Sequence, residues 1–273
     1  MAGKLAKTNG SVPVAFDDLE EAHGPEFGRD EIAIPRIKIA QALSDQLNKQ
    51  HANFIKGLSA GDFYNSVTGD VWPGEQGIFV VPCAFQTTYV EWVPRKKGGG
   101  IVADRTDDEG IEALWRQLFR KDSEGRSRAM TPEGNELIRS ADYYVLVVDP
   151  DTGSYQEAVL TLGGTQTKKS RKWNTLMTGR SLPRSDGTRF SPLICAFTYH
   201  LTTLPESNES GNWMGVQPAK AVFPGNEDGV VTKLPNGQDI YAAAKHLRQL
   251  VQSGQKRAAA EAGDAGLASE IPF

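Results

Sequence analysis

Between Lys168 and Arg189 the chain places Lys168, Lys169, Arg171, Lys172, Arg180, Arg184 and Arg189, seven cations against a single acid, Asp186. Trp173 lies inside this run and Phe190 just after it. Ammonium and guanidinium groups neutralise phosphates. A flat ring gives a base something to stack on, worth about 1–3 kcal/mol per base with little regard to sequence. Together they are the chemistry of gripping an unpaired nucleic-acid strand. A second group has the same make-up: Tyr89 and Trp92 lead into the basic loop Arg95-Lys96-Lys97. On a regular strand residues 89 and 92 point to opposite faces, so at most one of them serves a ligand and the other is core. Blander fates compete in both places. A lysine run at helical spacing is often only a solvated face, and a tryptophan at a helix centre is often core.

The signals for catalysis are weak. Gly163-Gly164-Thr165-Gln166-Thr167-Lys168-Lys169-Ser170 follows a predicted strand but lacks the glycine before Lys-Ser that a phosphate loop requires. A backbone anion nest for a DNA phosphate stays open there. Cys195 and His200 are five apart on one predicted strand and so face opposite sides, which keeps them from pairing as nucleophile and base. The acids Asp104, Asp107, Asp108 and Glu109 read as charge at a helix start. Cys83 and Cys195 sit in apolar runs and read as buried free thiols, and the four histidines are scattered, so neither a structural metal nor a cofactor is expected. The expectation is a non-catalytic protein, although scattered carboxylates leave a two-metal nuclease open.

Net charge is −4 over 273 residues, so any hold on nucleic acid must come from local segregation of charge. The segment 17–31 is acidic, with Asp17, Asp18, Glu20, Glu21, Glu26, Asp30 and Glu31 against Arg29. Residues 1–30 are expected to be a flexible acidic arm, 31–254 the ordered core and 255–273 a flexible tail. No signal-peptide core and no run of about 18 apolar residues occurs, so a cytoplasmic location is expected.

The elements that must position the cations follow from periodicity. Apolar residues at 111, 114, 115, 118 and 119 predict a short amphipathic helix, and helices are predicted over 167–178 and 241–251, the last stopped by Gly254. Strands are predicted over 77–82, 87–93 and 193–204, and over 213–223 with a break at Pro218. Residues 61–72 read as strand, turn at Thr68-Gly69-Asp70, and return. The best hairpin joins 143–148 to 158–162 across Asp149-Pro150-Asp151-Thr152-Gly153. Many strands joined by turns, with few helices, predict a mainly β fold: an antiparallel barrel with helical insertions.

The chain finishes Glu270-Ile271-Pro272-Phe273. Large apolar side chains at an exposed end contribute nothing unless they dock, and Pro272 holds Ile271 extended, which lowers the entropy lost on docking. This ending resembles the tip of bacterial-type single-stranded DNA-binding proteins, which finish with acids followed by Ile-Pro-Phe. In that family several aspartates are consecutive, whereas here Glu261, Asp264 and Glu270 are spaced. The resemblance implies that Glu270, Ile271, Pro272 and Phe273 recruit replication, recombination and repair enzymes. The whole chain also resembles phage-encoded single-stranded DNA-binding proteins, through Ile34-Pro35-Arg36-Ile37-Lys38, residues 61–69, and Gly164-Thr165-Gln166 leading into Lys168-Lys169-Ser170-Arg171-Lys172-Trp173. That likeness implies an OB-fold-like core and no catalytic residues. A phage structural or interaction protein that binds no DNA is the alternative, and a homo-oligomer is left open.

Overall fold

The computed structural model describes residues 34–121, 125–208, 211–222 and 224–258. The expected N-terminal arm and the tip Glu270–Phe273 lie outside the described residues. Among those described, the strands are β1 (Arg36–Ile39), β2 (Phe63–Asn65), β3 (Val71–Trp72), β4 (Ile78–Trp92), β5 (Ile101–Asp104), β6 (Phe119–Lys121), β7 (Ser127–Ala129), β8 (Glu136–Val148), β9 (Tyr155–Gly163), β10 (Leu182–Pro183), β11 (Arg189–Phe190), β12 (Tyr199–Asn208) and β13 (Gly211–Ala221). The helices are α1 (Ile111–Leu118), α2 (Thr167–Thr178) and α3 (Gly237–Gln252). The fold is mainly β with helical insertions, as the sequence predicts.

One sheet runs β13-β12-β4-β8-β9-β1-β2-β3, with β5 added to β4. Its ladders are antiparallel except that β1 lies parallel to β9. Buried Arg36 tethers that pair: Nη1 donates to Thr161 Oγ1 at 2.6 Å, and Thr161 in turn donates to Asp142 at 2.8 Å. The sheet curls into a half-barrel whose two ends meet. There the Gln41 side chain acts as a strand partner, its Nε2 donating to Met214 O at 3.0 Å and its Oε1 accepting from Met214 N at 2.8 Å. Beside it Thr203 N donates to Gly74 O at 3.0 Å and Thr203 Oγ1 to Gly61 O at 2.6 Å. A Cβ at Gly74 would lie 2.1 Å from Gly61 O, so only glycine lets the ends approach.

Strand alternation sorts the two sides of this sheet. Tyr143, Val145 and Val147 of β8 with Ala158, Leu160 and Leu162 of β9 fill the concave interior. Tyr144, Leu146, Val148 and Val159 face outward and meet Ile240, Ala244 and Leu247 of α3, which lie at 4- and 3-residue spacing on one helix stripe. Cys83 and Cys195 are buried and free in this outer layer.

Several expectations are corrected. The two predicted strands 77–82 and 87–93 are one 15-residue strand, β4, and its register shifts between Pro82 and Ala84. A proline within a ladder belongs at a bulge, and a bulge bends a strand. The first half of β4 therefore serves the barrel. The second half, with β5, α1, β6, β7 and the start of β8, forms an arm with its own small core of Tyr89, Ile111, Ala129 and Leu137. The predicted strand 193–204 is broken: Ile194–Ala196 is a tight 3-10 turn and β12 starts at Tyr199. The start of the expected tail is also anchored. Ala258 is buried and its N–H donates to the Tyr144 hydroxyl at 3.0 Å, while Lys256 pairs with Glu157 and Arg257 with Asp104 and Asp107.

Candidate nucleic-acid interface

Helix α2 presents its cations because its opposite side is spoken for. Ser170, Trp173 and Met177, at 3- and 4-residue spacing, turn inward and are buried. Trp173 is 0% exposed, with its ring centroid 4.5 Å from that of Tyr143 and 5.9 Å from that of Tyr199. Tyr143 clamps the helix further, its hydroxyl 2.7 Å from Ser170 Oγ and 2.9 Å from Asn174 Oδ1. The expected stacking role of Trp173 is thus corrected: its ring has no face open to solvent, because α2 uses it as the plug of the barrel. On the outer side Lys168, Arg171 and Lys172 are exposed and form no ion pair with a described carboxylate.

The other members of the basic run divide. Lys169 turns to the flank and pairs with Glu206 of β12. That carboxylate also accepts Trp213 Nε1 at 2.8 Å and Gln166 Nε2 at 3.3 Å. Burial pushes Glu206 up, but the bonds from Lys169, Trp213 and Gln166 outweigh it and hold the carboxyl below its usual range. Lys169 is therefore a clamp between α2 and the sheet. Arg180 lies over the Phe197 ring at 4.5 Å and donates to Asp228 O at 2.6 Å, so it too is structural. Arg184 covers Phe190 at 4.9 Å, and Arg189 donates from Nε to Ser181 Oγ and from Nη2 to Ser181 O, both at 2.9 Å. These two stiffen the β10–β11 hairpin that follows α2 and stay exposed, with no carboxylate partner among the described residues. The segment expected as an anion nest is a 3-10 turn, Gly164–Gln166, that runs straight into α2.

The second predicted patch separates from the first. Tyr89 is 4% and Trp92 5% exposed, so neither ring is offered to a ligand. Tyr89 belongs to the core of the arm, and Trp92 lies against the opposite face of β4. Arg95, Lys96 and Lys97 form a 3-10 turn after β4; Lys96 is exposed and Lys97 Nζ reaches Gly134 O at 3.4 Å. Phe85, which pairs with Tyr143 beneath α2, is seven residues before Trp92, or ~24 Å of strand. The Arg95–Lys97 turn follows the end of β4, whereas α2 packs over its middle.

The rings that are open were not singled out in the sequence. Phe85 is 41% exposed, its centroid 5.2 Å from that of Tyr143. At the arm, Phe119 is 40% exposed and stacks on Trp115 with centroids 4.6 Å apart and planes inclined by 28°. The Arg139 guanidinium lies 5.6 Å from the centre of the Trp115 ring, and its Nε donates to the Tyr89 hydroxyl at 3.3 Å. The only hint in the sequence is the four-residue spacing of Trp115 and Phe119, which equally marks a helix's apolar stripe.

His200 stacks on Phe79 at 4.6 Å and its Nε2 is 2.7 Å from Gln76 O, while Cys195 lies in the outer layer. The two do not meet, for a different reason from the one expected: only His200 is on the strand. Among the described residues no three His, Cys, Asp or Glu side chains are grouped to hold a metal ion, and no helix is long and apolar enough to cross a membrane.

These features define a curled-sheet β protein with one helix plugging the barrel and turning a cationic side outward. A family model described as Pam3 phage gp34-like protein matches residues 6–257. The chain belongs to the Pam3 phage gp34-like family, which makes it a phage-type protein. No curated protein and no solved structure matches it.

Proposed function

We propose that this phage protein is a non-catalytic single-stranded DNA-binding protein acting in replication, recombination or repair in the host cytoplasm. The observation that carries the reading is the outer side of α2. Three exposed cations, Lys168, Arg171 and Lys172, stand without acidic partners among the described residues, in a chain whose net charge is −4. Charges left unpaired on a rigid helix are available to phosphates, and Arg184 and Arg189 extend the cationic surface along the chain. Membership of a phage family is compatible with this reading, and the likeness of the 164–173 segment to phage-encoded single-stranded DNA-binding proteins supports it. Residues Glu270 to Phe273 are the proposed hook for partner enzymes, on the strength of their resemblance to the bacterial-type tip.

The test is a titration of labelled oligo-dT, against duplex of equal length, at two salt concentrations. Wild type is expected to prefer the single strand, with affinity falling as salt rises. The triple variant Lys168→Glu, Arg171→Glu, Lys172→Glu should bind at least tenfold more weakly, with a log–log salt slope shallower by about 2, at roughly 0.7 for each phosphate left without its cation. Unchanged binding by the triple variant would remove α2 from the interface, and absence of any shift with oligo-dT would leave a phage interaction protein in its place. Deleting Ile271–Phe273 should spare oligo-dT affinity and abolish capture of host replication or repair enzymes.

A further inference from the structure

Resting on the single-stranded DNA reading, we infer that the bases of the bound strand stack on Phe85, beside α2, and on the Phe119–Trp115 pair backed by Arg139, on the arm, a surface distinct from the cations on the outer side of α2.

Directly opposed residues of an antiparallel ladder share a face, so Phe85, Thr87 and Tyr89 of β4 lie on the same side of the sheet as Tyr143, Ala141 and Arg139 of β8. That side is the one on which α2 packs, through Tyr143 and Ser170. β9 ends at Gly163, opposite Ser140, and the 3-10 turn Gly164–Gln166 leads directly into α2, so its first turn, with Lys168, is at the arm end of the helix. From Tyr143 to Arg139 is four residues, or ~14 Å of strand, and the side chains between are the small Thr87 and Ala141. A path therefore leads from the cations of α2, past Phe85, to the stacked rings on the arm without crossing an edge of the sheet.

The chemistry at the far end fits an aromatic, anionic ligand. Half-exposed rings stacked nearly parallel present a flat, polarisable surface of the size of a base, and planar guanidinium groups add cation–π attraction. Arg120, next to Phe119, is exposed and, among the described residues, gives its guanidinium to the carbonyls of Arg116 and Phe119 and to no carboxylate. Lys121 follows, also exposed. Asp122 and Glu124, which follow in the sequence, lie outside the described residues; of the described acids, Glu112 is engaged by Arg116, and Glu91 is buried and paired with Arg105 at 2.7 Å. The anchored start of the C-terminal segment lies against the other face of the arm, where Ala258 lines a cleft with Thr88, Val90 and Trp92, so among the described residues it does not cover the rings.

The experiment compares oligo-dT with an abasic strand of equal length, which keeps the phosphates and removes the bases. Wild type should bind oligo-dT more tightly than the abasic strand. Phe119→Ala and Phe85→Ala, both at half-exposed positions that unfolding measurements should find little changed, are each expected to weaken oligo-dT binding roughly 5- to 100-fold. The salt slope should stay as it was, and the double variant should bind both strands alike. Trp115→Phe keeps a ring and should retain affinity while losing most of the fluorescence quenching caused by oligo-dT. If wild type binds oligo-dT and the abasic strand equally, or the phenylalanine variants bind as wild type does, the stacking site is overturned while the DNA-binding reading stands. No binding of oligo-dT by wild type overturns both.

Discussion

Lys172 and Trp173 are neighbours in the chain with opposite fates, because each residue of a helix advances by about 100° around its axis. Lys172 is carried into solvent and Trp173 into the barrel, where it fills the space between Tyr143 and Tyr199. Trp173→Ala should cost about 3–5 kcal/mol, the usual range for emptying a large aromatic from a core, and denaturant unfolding measures it. The salt slope of oligo-dT binding by the molecules that stay folded should not change. The tyrosines around it carry a pH signature. Burial pushes the hydroxyls of Tyr143 and Tyr199 up to about 12, from an ordinary value of 10.0. A group whose pKa is raised by folding contributes its stability in full below the unfolded value, and that stability drains away as pH climbs to the folded one. The denaturant midpoint should therefore drop between pH 10 and about 12. The Tyr199 hydroxyl has no hydrogen-bond partner among the described residues. Tyr199→Phe should therefore be nearly neutral at pH 7 and should flatten part of the alkaline loss, whereas an unaltered alkaline profile would assign that loss to other groups.

At the scale of elements the arm and the strap after α3 depend on each other. Helix α3 ends at Gln252, Gly254 takes a left-handed turn with φ +71°, and the chain crosses back so that Arg257 reaches both carboxylate oxygens of Asp104 at 3.0 Å and also pairs with Asp107. Those acids lie at the end of β5 and before α1, so the strap ties the outer layer to the arm that carries Trp115. The Arg257–Asp104 pair is about one-third exposed and Asp107 is mostly exposed, so the pairs are worth little in global stability, about 0.2–1 kcal/mol. Their effect is local. Arg257→Ala should speed amide exchange in residues 253–258 and in β5 without shifting the global unfolding midpoint by much, and raised salt should do the same to wild type by screening. Protection unchanged by both treatments would show that Ala258 and the Tyr144 hydroxyl hold the strap alone. Elements differ in how far the sequence reveals them. The bounds of α2 and the turn of the β8–β9 hairpin follow from local periodicity and turn residues, whereas β8 starts at Glu136, seven residues before the strand predicted at 143–148. The continuity of β4 does not, because Pro82 and the bulge beside it look like a strand end until a partner strand is seen to run past both.

At the scale of the whole molecule the decisive feature is the curl of the sheet. It brings Gln41 to Met214, 173 residues apart, and Gly61 to Thr203, 142 apart. It creates a concave side for α2 to plug, and so leaves the other side of that helix, with its cations, as surface. It also makes one face of β8 run from the plugged barrel to the arm. The acidic balance of the chain is compatible with a grip on phosphates because Lys169 and Glu206 cancel within the clamp while Lys168, Arg171 and Lys172 do not.

The sequence by itself determined what is local. It determined a mainly β chain with a helix at Thr167–Thr178, buried thiols at Cys83 and Cys195, and a cationic run in an otherwise acidic protein, since propensity, periodicity and charge act over a few residues. The tertiary structure decided which rings are open. Periodicity places Trp173, Tyr89 and Trp92 on faces but does not say which faces are covered, and their covers come from strands and helices distant in sequence. The same packing turned Lys169 and Arg180 into internal clamps. It also left Phe85 and Phe119 facing water, because burial is a property of what arrives from elsewhere in the chain.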